Sequence, residues 1–293
     1  GGDDDGRAGG VRVSTNMPGS VDTFPTHEAG QPALAAYVNN IQDGLATTQG
    51  IVVGPVWVNP RAPEYGAVGD GDVDDTAAIQ AAIDAAEAAG GAVVVLPKGT
   101  YKLTSSLTIE TDGVTLLGAS KGAVKIVMSG AAATAVTVNA NDVLFTDLSF
   151  DHVGATAAES GAAIFLESGA YARIRNCQLE GGWYINVDAE DAYAWVISES
   201  EVVDAIHAEI RNAAVEEPDR GDSSIHDCLI GTSGSTPYGI LWESGGGLRI
   251  HNNKFLEHVV AIMANIATGI ATQNLLIADN SIENCATHAI HIK

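Results

Sequence analysis

The chain has 293 residues, with 37 Asp and Glu against 14 Lys and Arg, a formal charge of −23 and 46% hydrophobic residues of which few are aromatic. The charge excludes docking on nucleic acid or on anionic lipid, both of which need a basic surface, and the apolar content excludes a chain disordered throughout. No apolar run reaches the roughly 18 residues that cross a bilayer. Acids spread along the whole sequence suit a protein of concentrated salt, where a short Debye length screens self-repulsion. An ordinary acidic secreted or viral protein is the plainer alternative. A core poor in aromatics must be built from Ala, Val, Ile and Leu, which favours many thin, repeated layers.

Residues 1–30 are rich in Gly, Asp, Pro and Thr without periodicity, and read as an extended arm. Residues 32–47 read as a helix. Pro32 suits its first turn, and Leu34, Val38, Ile41 and Leu45 follow steps of 4, 3 and 4. That is a two-heptad seam, too short to stand alone but sufficient where several copies meet. Packing on its own domain is the alternative. From Glu64 to Ile109, an Asp-rich loop (Asp70, Asp72, Asp74, Asp75) leads into an Ala-rich helix that Asp74 or Asp75 would cap. Ile79, Ile83 and Ala86 mark its buried stripe, Gly90 and Gly91 end it, and Val93–Leu96 reads as a buried strand.

Beyond this helix one phrase recurs, an apolar residue followed five positions later by another with polar and small residues between. It runs Phe145 to Phe150, Ile174 to Leu179, Ile197 to Val202, Ile225 to Ile230, Ile250 to Phe255 and Ile277 to Ile282. Its starts advance by 29, 23, 28, 25 and 27 residues, an irregular period in the twenties that indicates a parallel β-helix with loops of varying length. Asp147, Asn176, Glu199, Asp227, Asn252 and Asp279 would stack as a polar ladder at a turn. A second alignment takes the strand that opens each coil. It points Ile164, Ile185, Ile206, Ile240, Ile262 and Ile290 inward. Outward it gives one column of Phe165, Asn186, His207, Leu241, Met263 and His291, and another of Glu167, Asp188, Glu209, Glu243, Asn265 and Lys293.

The stretch from Glu64 to Ile109 resembles the N-terminal module of the pectate-lyase-like single-stranded right-handed β-helix family. The likeness is carried by Tyr65, Gly66, Gly69, Asp70, Gly71, Asp74, Asp75, Thr76, Ala78, Ile79, Gln80, Gly90, Gly91, Leu96, Pro97, Gly99, Thr100 and Tyr101. It implies an all-β, right-handed parallel β-helix whose N-terminal helix covers the first coil. The expected organisation is an arm and short oligomerisation helix over 1–55, the capped module over 56–110 and coils over 111–293. The family includes lyases, hydrolases, epimerases, viral tailspikes and inactive adhesins, so the resemblance implies fold more sharply than activity. The order of arm, seam and capped module is that of tailspike-like proteins. It points to a virion tail or surface spike, homotrimeric, binding a surface polysaccharide or glycoprotein. A secreted polysaccharide lyase or glycoside hydrolase is the alternative. The family's pectin-hydrolase pattern is missing, and His291-Ile292-Lys293 only faintly echoes its basic element.

Carboxylates on neighbouring or alternate coils, with backbones about 4.8 or nearly 10 Å apart, can serve as acid and base on a glycosidic bond. Asp188, Glu209 and Glu243 with His207 are the catalytic candidates. Tyr184, Tyr193, Trp195 and Tyr238 would stack on sugar rings, and Arg220, in the loop 213–224, would meet a sugar acid. A solvated acidic face is the competing interpretation. No metal-ligand spacing occurs, so no cofactor is expected beyond Ca²⁺ or monovalent cations relieving an acidic ladder. Cys177, Cys228 and Cys285 read as small core residues, and His152, His226, His251, His258 and His288 as surface residues. The last strand, Ala289–Lys293, would leave Ile290 and Ile292 at an open coil, covered by a continuation of the chain or by a neighbouring subunit.

Overall fold

The computed structural model describes residues 56–129, 134–153, 161–213, 222–231, 236–244, 247–265 and 274–293. The expected arm, the seam from Leu34 to Leu45 and Arg220 lie outside the described residues. Successive coils each lend one strand to three parallel sheets. Among the described residues, the first sheet has nine strands from Trp57–Val58 to Leu275–Ala278. The second has nine from Asp70–Asp74 to Ser281–Glu283, and the third eight from Leu107–Ile109 to His288–Ile292. This is the all-β parallel solenoid expected from the repeat.

The phrase explains the core. Its first residue is an inward position of the first sheet, where Leu116, Phe145, Ile174, Ile197, Ile225 and Ile250 are level and buried. Its last residue is an inward position of the second sheet, stacking Phe150, Leu179, Val202, Ile230 and Phe255. Between them the chain turns through one left-handed residue per coil. Asp147, Asn176, Glu199, Asp227, Asn252 and Asp279 hold φ between 49° and 60°. Asp and Asn tolerate that region because their short polar side chains bond locally. Asn176 Nδ2 donates to Asp147 Oδ1 at 2.6 Å, and Asn252 donates to Asp227. The expected polar ladder is this corner. Just inside it, side chains of one coil accept backbone N–H groups of the coil before. Ser200 Oγ receives Cys177 N, Asn253 Oδ1 receives Cys228 N, and Asn280 Oδ1 receives Asn253 N, at 3.0 to 3.1 Å. Burial pushes the thiols of Cys177 and Cys228 up to about 12, so neither is a ready nucleophile. Cys285 is only partly buried.

Helix α1 (Thr76–Ala88) buries Thr76, Ile79, Ala82, Ile83 and Ala86 against the first coil. Its side chains also finish an open edge. The strand Leu107–Ile109 ends the third sheet, and Gln80 Oε1 accepts Thr108 N at 2.9 Å while Gln80 Nε2 donates to Thr108 O at 3.1 Å. Glu87 Oε1 accepts the N–H groups of Glu110 and Thr111 at 2.5 and 3.1 Å. Exposed strand edges invite pairing with other chains, and the helix removes this one. Asp74 satisfies the first helical N–H, that of Thr76, at 3.0 Å. Asp75 does not cap the helix: it is buried, and its carboxylate accepts Val68 N at 2.6 Å and Gly69 N at 3.0 Å, which fixes the preceding loop.

Two of the five histidines expected at the surface are core residues. His152 packs edge-on to Trp183 at 5.0 Å. His258 is enclosed beside Gly231 and Gly239, whose missing side chains leave room for its ring. Ile290 and Ile292, on the last strand, are exposed.

Candidate functional site

The third sheet carries the candidate face, and its register differs from the expected one in two coils. Ile164 is level with Val187, Ile210, Ile240, Ile262 and Ile290. Ile185 and Ile206 do not belong to that column. Ile185 sits on an outer apolar cluster with Ala208, Leu241, Val260 and Met263, and Ile206 is exposed before its strand begins. The first of these coils therefore stands two residues, and the second four, away from the expected alignment. The true outward column is Phe165, Asp188, Arg211, Leu241, Met263 and His291. The stack of four carboxylates from Glu167 through Asp188 and Glu209 to Glu243 does not form.

What forms instead is a mixed-charge network. Arg211 grips Asp188 with two parallel bonds, Nε to Oδ1 at 2.7 Å and Nη2 to Oδ2 at 2.8 Å. The planar guanidinium matches the carboxylate fork, so the pair is both strong and oriented. Glu243 approaches the remaining side of Arg211, with Oε2 3.8 Å from Nη1. Burial raises the Asp188 carboxyl above its ordinary range, and the bonds and charge of Arg211 pull against that shift. Sequence reasoning missed Arg211. The available signal was its place directly after Ile210, equivalent to Leu241 after Ile240.

Three rings gather at the outer apolar cluster whose Leu241 is level with Arg211. Tyr184 and His207 are stacked, with centroids 4.9 Å apart and planes at 4°, and Tyr238 meets His207 edge-on at 5.4 Å. All three are half-buried, and the tyrosines rest on the outer apolar cluster. The face thus joins flat apolar surfaces to hydrogen-bonding carboxylates and a guanidinium, the combination a sugar ring recognises.

The other candidates are dispersed. Glu209 is fully buried, where Asn186 Nδ2 donates to Oε2 at 2.6 Å and Ala205 N points at both oxygens. Burial pushes its carboxyl up to about 8 against those bonds, so it is a protonated group near neutral pH and does not share the outer face with Asp188. Trp195 is 1% exposed inside the core and offers no ring face to a ligand. Tyr193 closes the strand Ile185–Tyr193 at the end away from Tyr184 and packs edge-on to Tyr171. No group of three or more His, Cys, Asp or Glu among the described residues is arranged to hold a metal ion. No helix among them is long and apolar enough to cross a membrane.

Comparison with known proteins fits this architecture. The family described as rhamnogalacturonase A/epimerase, pectate lyase-like matches residues 57–292. Over 72 residues, 22% of this chain and 4% of the relative, the sequence is 50% identical to the mannuronan C5-epimerase AlgE3 of Azotobacter vinelandii. The structure is similar to ORF18 of Geobacillus virus E2, with TM-score 0.56 and 19% identity over 92% of this chain and 54% of that one. It is also similar to the Dettilon tailspike protein gp208, with TM-score 0.60 and 17% identity over 88% of this chain and 52% of that one. The chain spans about half of each of these two solved chains and a small part of the epimerase, and the likeness to the solved chains is one of fold.

Proposed function

The chain belongs to the rhamnogalacturonase A/epimerase, pectate-lyase-like family, and from that premise we propose that it is the solenoid of a viral tailspike or surface fibre that binds a cell-surface glycan. The binding surface is the outer face of the third sheet. One observation carries this reading: Tyr184 and Tyr238, which flank the His207 ring, rest on the outer apolar cluster that includes Leu241, and Leu241 is level with Arg211 of the Asp188–Arg211–Glu243 network. The fold it shares with tailspikes supports the setting. In that setting the protein is a virion component, and three copies associate through the seam from Leu34 to Leu45.

The test is retention of the folded chain on immobilised polysaccharides. Tyr184→Ala and Tyr238→Ala are each expected to weaken binding about tenfold, since a stacked aromatic contact is worth about 1 kcal/mol beyond the area it buries. Undiminished binding in both variants would remove this face from consideration. Mass measurement in molar salt is expected to give a trimer. A monomer at micromolar concentration would sink the assembly.

A second reading has its own observation. Asp188 and Glu243 lie on alternate coils and both reach Arg211, and burial holds the Asp188 carboxyl toward its protonated form. Asp188 as general acid and Glu243 as general base suit glycoside hydrolysis. New reducing ends released by the wild type and not by Asp188→Asn would establish it, and their absence from a bound glycan would leave a pure recognition protein.

We also propose that the acidic surface is an adaptation to salt. Thermal melts are expected to rise steeply from low to multimolar KCl, because screening relieves the self-repulsion of the −23 charge. A flat melting temperature across that range would remove the halophilic reading.

A further inference from the structure

Resting on that reading of the third-sheet face, we infer that Glu209 is its positioning residue, holding Tyr184, His207 and Tyr238 as one platform through a buried network with Asn186 and Thr236. It does so only as the neutral acid. The three ring residues stand on consecutive coils, joined by backbone bonds from His207 N to Tyr184 O at 2.9 Å and from Tyr238 N to His207 O at 3.2 Å. Two residues along the chain from each ring lies one member of the network: Asn186 after Tyr184, Glu209 after His207 and Thr236 before Tyr238. All three are buried, Asn186 and Glu209 completely.

The network crosses the coils through side chains. Asn186 Nδ2 donates to Glu209 Oε2 at 2.6 Å and to Val203 O at 2.8 Å, which ties the first coil to the second. Thr236 Oγ1 donates to Ala205 O at 2.8 Å, which ties the third coil to the second, and the same hydroxyl is bonded to Glu209. Ala205, two residues before His207, thus has both backbone groups held. Its N–H points at the Glu209 carboxyl at 3.3 to 3.4 Å, and its C=O accepts from Thr236. A ring keeps its place on a face when the bonds behind it fix the backbone that carries it.

The donors decide the protonation state. Asn186 and Ala205 each point an N–H at the carboxyl, and Thr236 has given its hydrogen to Ala205 O. Thr236 has only lone pairs left for Glu209, so the bond between them needs a hydrogen from Glu209. The neutral acid completes the chain, and a carboxylate breaks it. Either the carboxylate draws the Thr236 hydroxyl to itself and Ala205 O loses its donor, or it moves out to water and Asn186 and Ala205 N lose their acceptor. Both outcomes leave a buried polar group without its partner and release the segment that leads to His207. Asp204, on the same coil, opposes ionisation of Glu209, while the neighbouring coils present the uncharged Asn186 and Thr236. His207 stands in the outer ring stack, and Asp188, Arg211 and Glu243 form the outer network. Burial, first among these influences, sets the loss of the proton at about 8.

The experiment measures retention of wild type, Glu209→Gln and Tyr238→Ala on immobilised dextran, mannan, galactan, alginate and polygalacturonate, with folding checked by circular dichroism. A site that needs the proton weakens as the proton leaves, so wild-type retention is expected to fall about tenfold from about pH 7 to about pH 9. Glutamine is a neutral isostere whose amide donates to Thr236 and whose oxygen accepts from Asn186. Glu209→Gln is therefore expected to bind within about threefold of the wild type at about pH 7 and to keep that affinity at about pH 9. An equal fall in both proteins, no fall in the wild type, or a folded Glu209→Gln that binds no better than Tyr238→Ala would overturn the inference. Each would leave the face a glycan site, whose own mark is the loss in Tyr238→Ala. Retention of the wild type on no polymer would bring down the glycan reading, and the ring stack then decides the inference by itself. The NMR shifts of the His207 ring, 4.9 Å from that of Tyr184, are expected to diverge between wild type and Glu209→Gln as the pH rises over the same range. Shifts that stay together throughout would overturn it.

Discussion

Between about pH 6.5 and pH 8 the folded protein is expected to lose stability as the pH rises, and Glu209→Gln is expected to remove most of that slope; at lower pH the buried His258, held down to about 4, acts in the opposite sense. Glu209 is fully buried, and burial lifts its carboxyl from 4.5 to about 8. The native state therefore keeps a proton that the unfolded chain has already released. Stability falls with pH wherever the native state binds more protons than the unfolded one. The contribution is complete below the unfolded value and is lost as the pH climbs through the folded one. At about 1.4 kcal/mol per unit the interval is worth on the order of 2 kcal/mol. Asp188 is raised as well and acts in the same direction. Carboxylates held below their ordinary range by hydrogen bonds, Asp74 among them, make themselves felt only in more acid solution. Denaturant titrations at several pH values in molar salt would show the slope. A wild type equally stable at pH 6.5 and pH 8 would contradict a protonated Glu209.

Trp195→Ala is expected to cost about 3–5 kcal/mol, the range for truncating a large aromatic in a packed core. The residue lies in the main cluster and is 1% exposed, so its ring reaches no outer face. Tyr184→Ala, at the half-buried ring stack, should cost far less stability while reducing glycan retention. The two variants thus separate core aromatics from ligand-facing ones, a distinction that residue type alone does not make. Urea midpoints and polysaccharide retention, measured on both, check the pair. A Trp195→Ala protein as stable as the wild type would mean that the ring is not a core element.

Two of the three sheets were legible in the sequence because their signal is local. The phrase from Phe145 to Phe150 and its successors spans one inward residue, one left-handed corner and a second inward residue. All three requirements fall within six positions, so the repeat reports them directly. The helix Thr76–Ala88 was legible for a similar reason, since its apolar stripe and terminating glycines are contiguous.

The third sheet was decided by tertiary structure. A slip of one residue turns every side chain to the opposite face and betrays itself in the pattern. A slip of two or four, as in these two coils, preserves the alternation. Ile185 and Val187 fit one face equally well, as do Ile206, Ala208 and Ile210, and only pairing with the neighbouring coils selects Val187 and Ile210 as the inward residues. That choice brought Asp188 against Arg211. Alternation also fails at the corner where this sheet begins, since Ala163 and Ile164, and again Ala261 and Ile262, enter the core in succession. Glu209 precedes Ile210 at that same bend and is carried inside with it, to a buried position that a period of two places on the surface.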